Sequence, residues 1–309
     1  MKYLITGASG FIGSFLTRYL LDRNHQVIAL GRSFSNEMKE ILYGADFVEA
    51  DVLSSELSDH RINADVVVHL AAANDKVSKD LSKGIELSAV GTVNTMNLAI
   101  ANGIEKFIFY STLQVYGGEL VGNYSEGSQA LPVNDYGMNH LFGEMYCEMY
   151  SRMKGLKTLV VRPSNIYGPF LSKEVNRWTL VPGCFCKEAV EKKTITLLSS
   201  GKQMRNFITL EQLSYGTQMA AENIHKPFDV LNFVSHDYRC IHDVAVTTHK
   251  VLKNEFNMNV ALNIASNQPT ESNHFQFSHD KLLEYGIDMN DVEVSMEGEI
   301  NSVIRTLLG

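Results

Sequence analysis

The sequence predicts an α/β protein: a doubly wound parallel sheet with helices on both faces, and a smaller α/β domain toward the C-terminus. Three observations carry that prediction. The chain opens on a short apolar run, Tyr3-Leu4-Ile5, that leads through Gly7, Gly10 and Gly13 into an apolar stretch of helical period. Further strand-like runs then recur with helical stretches between them, the pattern of parallel strands joined by crossover helices. Finally, 309 residues suffice for one large domain and a smaller one, and 45% hydrophobic with 20% charged residues is a globular composition.

The first element is strand, tight turn, helix. Glycines at every third position suit a sharp turn, a close backbone approach to a pyrophosphate, and a helix packed tightly on its strand. The free N–H groups and positive dipole end of the new helix then face phosphates. Any β-to-α turn can contain a glycine triplet, but this one lies at the start of the chain between a strand and a helix. That context points to a dinucleotide held by Gly7, Ser9, Gly10, Phe11, Ile12 and Gly13 in a Rossmann-type fold.

A helix over 11–23 and a strand over 26–30 complete the first βαβ unit. The tip of that second strand commonly carries an Asp or Glu for the adenosine ribose of NAD. Here it reads Gly31-Arg32-Ser33. Arg32 can pair with a 2′-phosphate and Ser33 can donate to it, so the sequence favours NADP(H) over NAD(H). A helix over 36–43 and a strand over 46–49 follow, after which Asp51 and Val52 fall near the adenine. The strand over 65–70 contains His69, read as a core histidine, and ends at Leu70-Ala71-Ala72, where small residues let the backbone pass close to the cofactor. Helices over 81–102 and 135–154 alternate with strands over 106–110 and 157–161.

Beyond residue 161 longer loops are expected, with a helix over 175–192 carrying Arg177 and Trp178 and a short strand over 194–198. A helix over 209–223 and a strand over 230–234 read as a return to the first domain. Two closing helices follow over 278–286 and 292–308. The dinucleotide-binding domain is therefore expected over 1–166, rejoined by 209–235, with a substrate-binding domain over 167–309.

Composition removes other classes. A formal charge of −8 argues against non-specific nucleic-acid binding. The longest apolar run, 66–73, is far short of the ~18 residues of a membrane span, and the N-terminus reads as a strand and not as a signal peptide. Cys147, Cys184, Cys186 and Cys240 suggest no disulfide framework, and Cys184-x-Cys186 is wrongly spaced for a zinc pair, so no metal is expected. The thiols fit a reducing cytoplasm.

The most informative segments come last. They are Ser111-Thr112-Leu113-Gln114-Val115-Tyr116-Gly117 after the fifth strand, Tyr136-Gly137-Met138-Asn139-His140 opening a long helix, Arg162-Pro163-Ser164-Asn165-Ile166-Tyr167-Gly168-Pro169 after the sixth, and Arg205-Asn206-Phe207-Ile208-Thr209. In this order, with the opening Thr6-Gly7-Ala8-Ser9-Gly10-Phe11-Ile12-Gly13, the chain resembles the nucleotide-sugar epimerase/dehydratase/reductase branch of the extended short-chain dehydrogenase/reductase family. The resemblance implies that Tyr136 is the acid/base and that Thr112 holds the reacting oxygen. It also implies that Pro163 lies by the cofactor, and that Asn165 and Arg205 lie by the substrate diphosphate.

The departures from the family pattern bear on activity. His140 stands where the family carries lysine, four residues after the tyrosine on the same helix face, and Ser88 stands where relatives often have asparagine. A lysine ammonium ~5 Å from the phenol would favour phenolate by ~3 kcal/mol at an effective dielectric of 20, whereas a neutral histidine supplies no charge. Weakened or retuned proton transfer is the expectation. No Lys or Arg occurs between Lys253 and Lys281, where relatives often place a second diphosphate-binding arginine; Lys202, Arg177, His274 or His279 are the residues that could compensate. The resemblance also implies a homodimer through the helices over 81–102 and 135–154. Leu141, Met145 and Met149 form an i, i+4, i+8 stripe on the second of these, a stripe that could equally face the core.

Three functions follow: an NADPH-dependent reductase of a nucleotide-linked 4-keto sugar, favoured by the Gly31-Arg32-Ser33 tip; a nucleotide-sugar 4-epimerase with retained NAD; and a dinucleotide-binding sensor that has lost its catalytic lysine.

Overall fold

The computed structural model describes residues 1–265 and 273–309. The chain begins β1 (Lys2–Thr6), α1 (Phe11–Asp22), β2 (Gln26–Gly31), α2 (Asn36–Ile41), β3 (Asp46–Glu49) and β4 (Val66–His69). Next, α3 (Leu81–Ile85) runs through a π-helical segment, Glu86–Gly91, into α4 (Thr92–Ala101), and β5 (Lys106–Tyr110), β6 (Gly122–Tyr124), α5 (Asp135–Lys154) and β7 (Lys157–Pro163) follow. The remainder comprises β8 (Asn165–Tyr167), α6 (Gly183–Lys192), β9 (Thr194–Leu197), β10 (Met204–Thr209), α7 (Leu210–Asn223), β11 (Phe228–Phe233), β12 (Asp237–Cys240) and α8 (Ile241–Phe256). It closes with β13 (Ala261–Ile264), β14 (Phe275–Phe277), α9 (Asp280–Glu284) and α10 (Met296–Leu308).

Seven parallel strands form the central sheet in the order β11-β7-β5-β4-β1-β2-β3. Strand alternation builds a core on each face. Tyr3 and Ile5 enter the core that also takes Leu16 of α1 and Leu213 of α7, while Leu4 points the other way to Met96 of α4 and Cys147 of α5. The strand order reverses between β1 and β4. In open α/β sheets that reversal opens a crevice at the carboxyl ends of the strands. Thr6 and His69, cross-strand neighbours there, tie the two ends together: Thr6 Oγ1 lies 2.8 Å from His69 Nδ1 and accepts from the Leu70 N–H. With His69 Nε2 3.3 Å from Thr92 Oγ1, the ring is fully buried among core partners, as the sequence suggested.

The second half adds small sheets, β12-β10-β8, β13-β9 and β14-β6. The expected helix over 175–192 begins only at Gly183, because Pro182 has no N–H to give to a helix interior and stands at the N-cap. The residues before it are held by tertiary contacts, Trp178 stacking on Phe170 at 3.8 Å. The last helix starts at Met296, where Ser295 accepts from the Gly298 N–H, and not at 292. The return segment carries a capping box between Thr209 and Gln212, and β11 pairs with β7 at the sheet edge. Strand β12 and helix α8 were not anticipated. On α5, Leu141 packs on the core whereas Met145 and Met149 are exposed, at 60% and 38%. All four cysteines are free thiols, and among the described residues no helix is long and apolar enough to cross a membrane.

Candidate active site

A cavity of about 730 Å³ lies over the β1/β4 reversal and extends to the small sheets. Gly7, Ser9, Gly10, Phe11, Ile12 and Gly13 line one end, Leu70 and Ala72 the floor, and Thr112, Tyr136, His140, Pro163, Asn165 and Arg205 the other end. The segments selected from sequence therefore converge on one space. Ala71 abuts Gly7 through its backbone, 3.1 Å from where a Gly7 Cβ would stand.

The glycine end fits a dinucleotide. Gly7 adopts φ +67°, and a Cβ on Gly13 would lie 2.2 Å from the Gly7 carbonyl oxygen, so neither position admits another residue without rearrangement. Gly10 caps α1 without any side-chain hydrogen bond, and the first turn holds no acidic residue. The unpaired N–H groups of that turn are left for an anion.

The other end holds the chemistry-bearing side chains. Thr112, two residues past β5 and extended, caps the short 3₁₀ turn Leu113–Tyr116, and Asn134 caps α5, so Tyr136 and His140 sit one turn apart at the start of that helix. Burial raises the Tyr136 phenol above its ordinary value; the Arg177 guanidinium and a hydrogen bond with the Thr112 side chain pull it back, and the Asp75 carboxylate opposes them. Burial pushes His140 down to about 4, although the backbone at Ala73 and Tyr110 favours its protonated form. The imidazole is 5% exposed and neutral at pH 7, and its Nδ1 has no hydrogen-bond partner. Its ring meets that of Tyr136 edge-on at 4.6 Å and approaches Phe109 at 6.2 Å.

Not every predicted residue reaches the cavity. Arg32 and Ser33 are exposed past the end of β2, and Asp51, also exposed, accepts from the Leu53 N–H; none of the three is in the cavity lining. Val52 is in the core against Gly91, and Ser88 is buried in the π-helical segment with its Oγ unpartnered, again outside the lining. Asn165 donates its amide to the Asn206 carbonyl at 2.8 Å, and Arg205, half-buried, donates to the Met204 carbonyl. Of the residues named as substitutes for the missing diphosphate arginine, Arg177 alone lines the cavity.

Two features were not anticipated. Arg177 forms a 2.5 Å ion pair with Asp75 from the loop after β4, and Glu174 accepts from Ser35 at 2.6 Å, so residues 172–180 are fastened across the cavity at two points. Below the site, Arg162 of β7 donates through Nε and Nη2 to the Glu144 carboxylate, at 2.9 and 2.5 Å, and through Nη1 to Tyr116 at 2.8 Å. Ser111 completes the arrangement by donating to Glu144. This buried pair holds Ser111 and Tyr116, on either side of Thr112 in the segment after β5. An Arg beside Pro163 and a mid-helix Glu144 were the available signals, with no sequence rule to pair them.

The model described as the NAD dependent epimerase/dehydratase family matches residues 3–232. A putative UDP-glucose 4-epimerase of Methanocaldococcus jannaschii is 28% identical over 228 residues, covering 70% of this chain and 72% of that one. A UDP-N-acetyl-alpha-D-glucosaminuronate decarboxylase of Bacillus cytotoxicus is 30% identical over 262 residues, covering 81% and 80%. Among solved structures, a UDP-glucuronic acid 4-epimerase from Bacillus cereus in complex with NAD superposes with a TM-score of 0.83 at 25% identity, covering 99% of this chain and 96% of that one.

Proposed function

The chain belongs to the NAD-dependent epimerase/dehydratase family, and from that premise we propose that it is an NAD(P)-dependent oxidoreductase of a nucleotide-diphosphate sugar, acting as an NADPH-dependent 4-keto-sugar reductase. The observation that carries the reading is the meeting, in one cavity, of a glycine turn with an uncapped helix start and the Thr112–Tyr136 pair.

In this reading Gly7, Ser9, Gly10, Phe11, Ile12 and Gly13 hold the pyrophosphate, Leu70, Ala71, Ala72 and Pro163 flank the rest of the cofactor, and Arg32 and Ser33 take a 2′-phosphate. Asp51, Val52 and Ser88, outside the cavity lining, keep at most supporting contacts. The bound nicotinamide supplies the hydride that forms the new C–H bond at the sugar carbonyl carbon. Tyr136 gives its hydroxyl proton to the carbonyl oxygen, which becomes the sugar hydroxyl. Thr112 orients that oxygen, and the apolar enclosure that raises the phenol keeps it protonated until the oxygen takes on charge. His140 is the neutral neighbour of Tyr136, contributing shape and a free ring nitrogen in place of charge. Asn165 and Arg205 face the substrate diphosphate.

A 4-epimerase with retained NAD is the second reading, favoured by relatives named as 4-epimerases. It uses Tyr136 first as base and then as acid on one carbon. Incubation with NADPH and nucleotide-linked 4-keto sugars separates the two: steady NADPH consumption, abolished by Tyr136→Phe, supports the reductase, whereas sugar interconversion without net cofactor loss supports the epimerase.

We further propose a dinucleotide-binding unit over 1–166 with 209–235, a substrate-binding unit over 167–309, and work in the cytoplasm, where the four thiols would stay reduced. The exposed Met145 and Met149 on α5, with Val90 and Ile100 on the neighbouring helical segment, suit a homodimer contact. Sedimentation at micromolar concentration would give a monomer if that contact is wrong.

A further inference from the structure

We propose that Cys240, His242 and Asp243, where β12 turns into α8, form a binding site for one zinc-class divalent cation, separate from the cavity. The observation that carries it is a mixed set of sulfur, nitrogen and oxygen ligand atoms gathered in one place. Among the described residues, the Cys240 thiol, a His242 ring nitrogen and an Asp243 carboxylate oxygen all lie within 4.8 Å of one another. None of the three residues lines the cavity. The sequence expectation of no metal rested on Cys184-x-Cys186; the fold gathers a different set.

The spacing suits a small tetrahedral cation. With bonds of about 2.0–2.2 Å to nitrogen and oxygen and about 2.3 Å to sulfur, neighbouring ligand atoms around zinc stand roughly 3.3–3.6 Å apart. His242 Nδ1 already lies 3.4 Å from Asp243 Oδ1. Both side chains have room to turn, being 38% and 64% exposed, so rotation alone can draw the remaining pairs to the same span. The donor types then select the ion. Thiolate and imidazole suit zinc and its neighbours, whereas magnesium and calcium call for oxygen throughout. Two anionic ligands balance the charge of the cation, the Cys240 proton passing to solvent as the metal–sulfur bond forms. The fourth position falls to water, because the site opens at the surface.

The backbone beneath these ligands is arranged in advance. Cys240 pairs with Met204 in the β10–β12 ladder, and the His242 N–H donates to the Gly201 carbonyl at 2.9 Å. Gly201 adopts φ +68°, and a Cβ there would stand 2.9 Å from the His242 nitrogen and 2.6 Å from the Leu197 side chain. That close approach requires glycine. Two of the three ligands therefore start from fixed backbone, and binding has only side-chain rotors to order.

The test uses the full chain, reduced and freed of metal by a chelator, titrated with Co²⁺ and then with Zn²⁺. A single equivalent of Co²⁺ should produce an ultraviolet thiolate-to-cobalt charge-transfer band with the intense visible bands of a tetrahedral ion, and Zn²⁺ should displace both. Cys240→Ser should remove the charge-transfer band. His242→Gln should weaken Zn²⁺ binding at least about a hundredfold, with the melting temperature of the metal-free chain unchanged, since neither position is in the core. In the unmodified chain, alkylation read by peptide mass should show Cys240 protected by Zn²⁺ and Cys184, another partly exposed thiol, as reactive as before. Cobalt binding without the charge-transfer band, a band that survives in Cys240→Ser, or a Cys240 alkylated equally fast with and without Zn²⁺ overturns the proposal.

Discussion

The imidazole of His140 stands edge-on to the phenol of Tyr136, with ring centroids 4.6 Å apart and planes at 71°. Four residues apart on one helix face, the two are close enough for the charge at position 140 to set the chemistry at position 136. Burial keeps His140 neutral. The site as built is therefore short of one positive charge on this helix.

His140→Lys should supply it. A lysine ammonium at ~5 Å contributes ~3 kcal/mol in favour of phenolate at an effective dielectric of 20. The carbonyl-lined pocket by Ala73 and Tyr110 gives the ammonium acceptors. The expected outcome is a pH–rate profile displaced toward acid, and a rate of sugar oxidation at pH 7 raised by at least about tenfold. Superimposable profiles for the two proteins would show that residue 140 does not control the proton transfer.

The same burial makes stability depend on pH. His69 and His140 titrate near 3 and near 4 in the folded chain, against ~6.5 when unfolded. Below pH ~6.5 the unfolded chain binds protons that the folded chain refuses. Stability is thus fully present above that pH and falls as pH drops toward the folded values. Between pH 7.5 and 5 each histidine should remove about 2 kcal/mol, roughly 4 kcal/mol together. Urea unfolding at pH 7.5, 6 and 5 measures the loss, and His140→Phe should remove about half of it. A flat stability over that range would mean that the two rings take up protons without unfolding.

Much of this was legible because it depends on local sequence. Glycines at 7, 10 and 13 after an apolar strand and the strand–helix alternation each state their own geometry. What was not legible depends on contacts between distant residues. Nothing local announces that Arg177 meets Asp75, 102 residues away, or that Glu144 meets Arg162 across helix and strand. The helix expected from residue 175 failed for a local reason that was available: Pro182 stands inside the predicted span. Arg32 and Ser33 show the opposite case, since their type was readable while their exposed position outside the cavity lining was not.

Gly13→Ala and Gly10→Ala separate folding from binding. The new methyl at position 13 would stand 2.2 Å from the Gly7 carbonyl oxygen and 2.8 Å from the Ala8 Cα, contacts that only backbone movement relieves. A loss of roughly 2–3 kcal/mol and of dinucleotide binding is expected. At position 10 the nearest atom is the Gly7 carbonyl oxygen at 3.1 Å. That chain should keep a near-native melting temperature while binding the nicotinamide cofactor at least about tenfold more weakly, because the methyl enters the phosphate end. Thermal melts paired with nicotinamide fluorescence titrations distinguish the two, and equal behaviour of the variants would refute the assignment of Gly10 to phosphate contact.

The proposed preference for NADPH turns on Arg32. It stands exposed at the tip of β2 next to Ser33, with no carboxylate in Gly31-Arg32-Ser33 to repel a 2′-phosphate. A charge-assisted pair with that phosphate is worth about 1.5–3 kcal/mol. Arg32→Ala should therefore weaken NADPH binding by roughly ten- to a hundredfold and leave NADH unchanged, read in parallel fluorescence titrations of cofactor-stripped protein. If the unmodified chain prefers NADH and Arg32→Ala changes neither titration, Arg32 is a solvated loop charge, and NAD carried through purification would move the 4-epimerase ahead of the reductase. A selective loss of NADPH would instead tie the consumed reductant to the β2 tip and direct the search to nucleotide-linked 4-keto sugars.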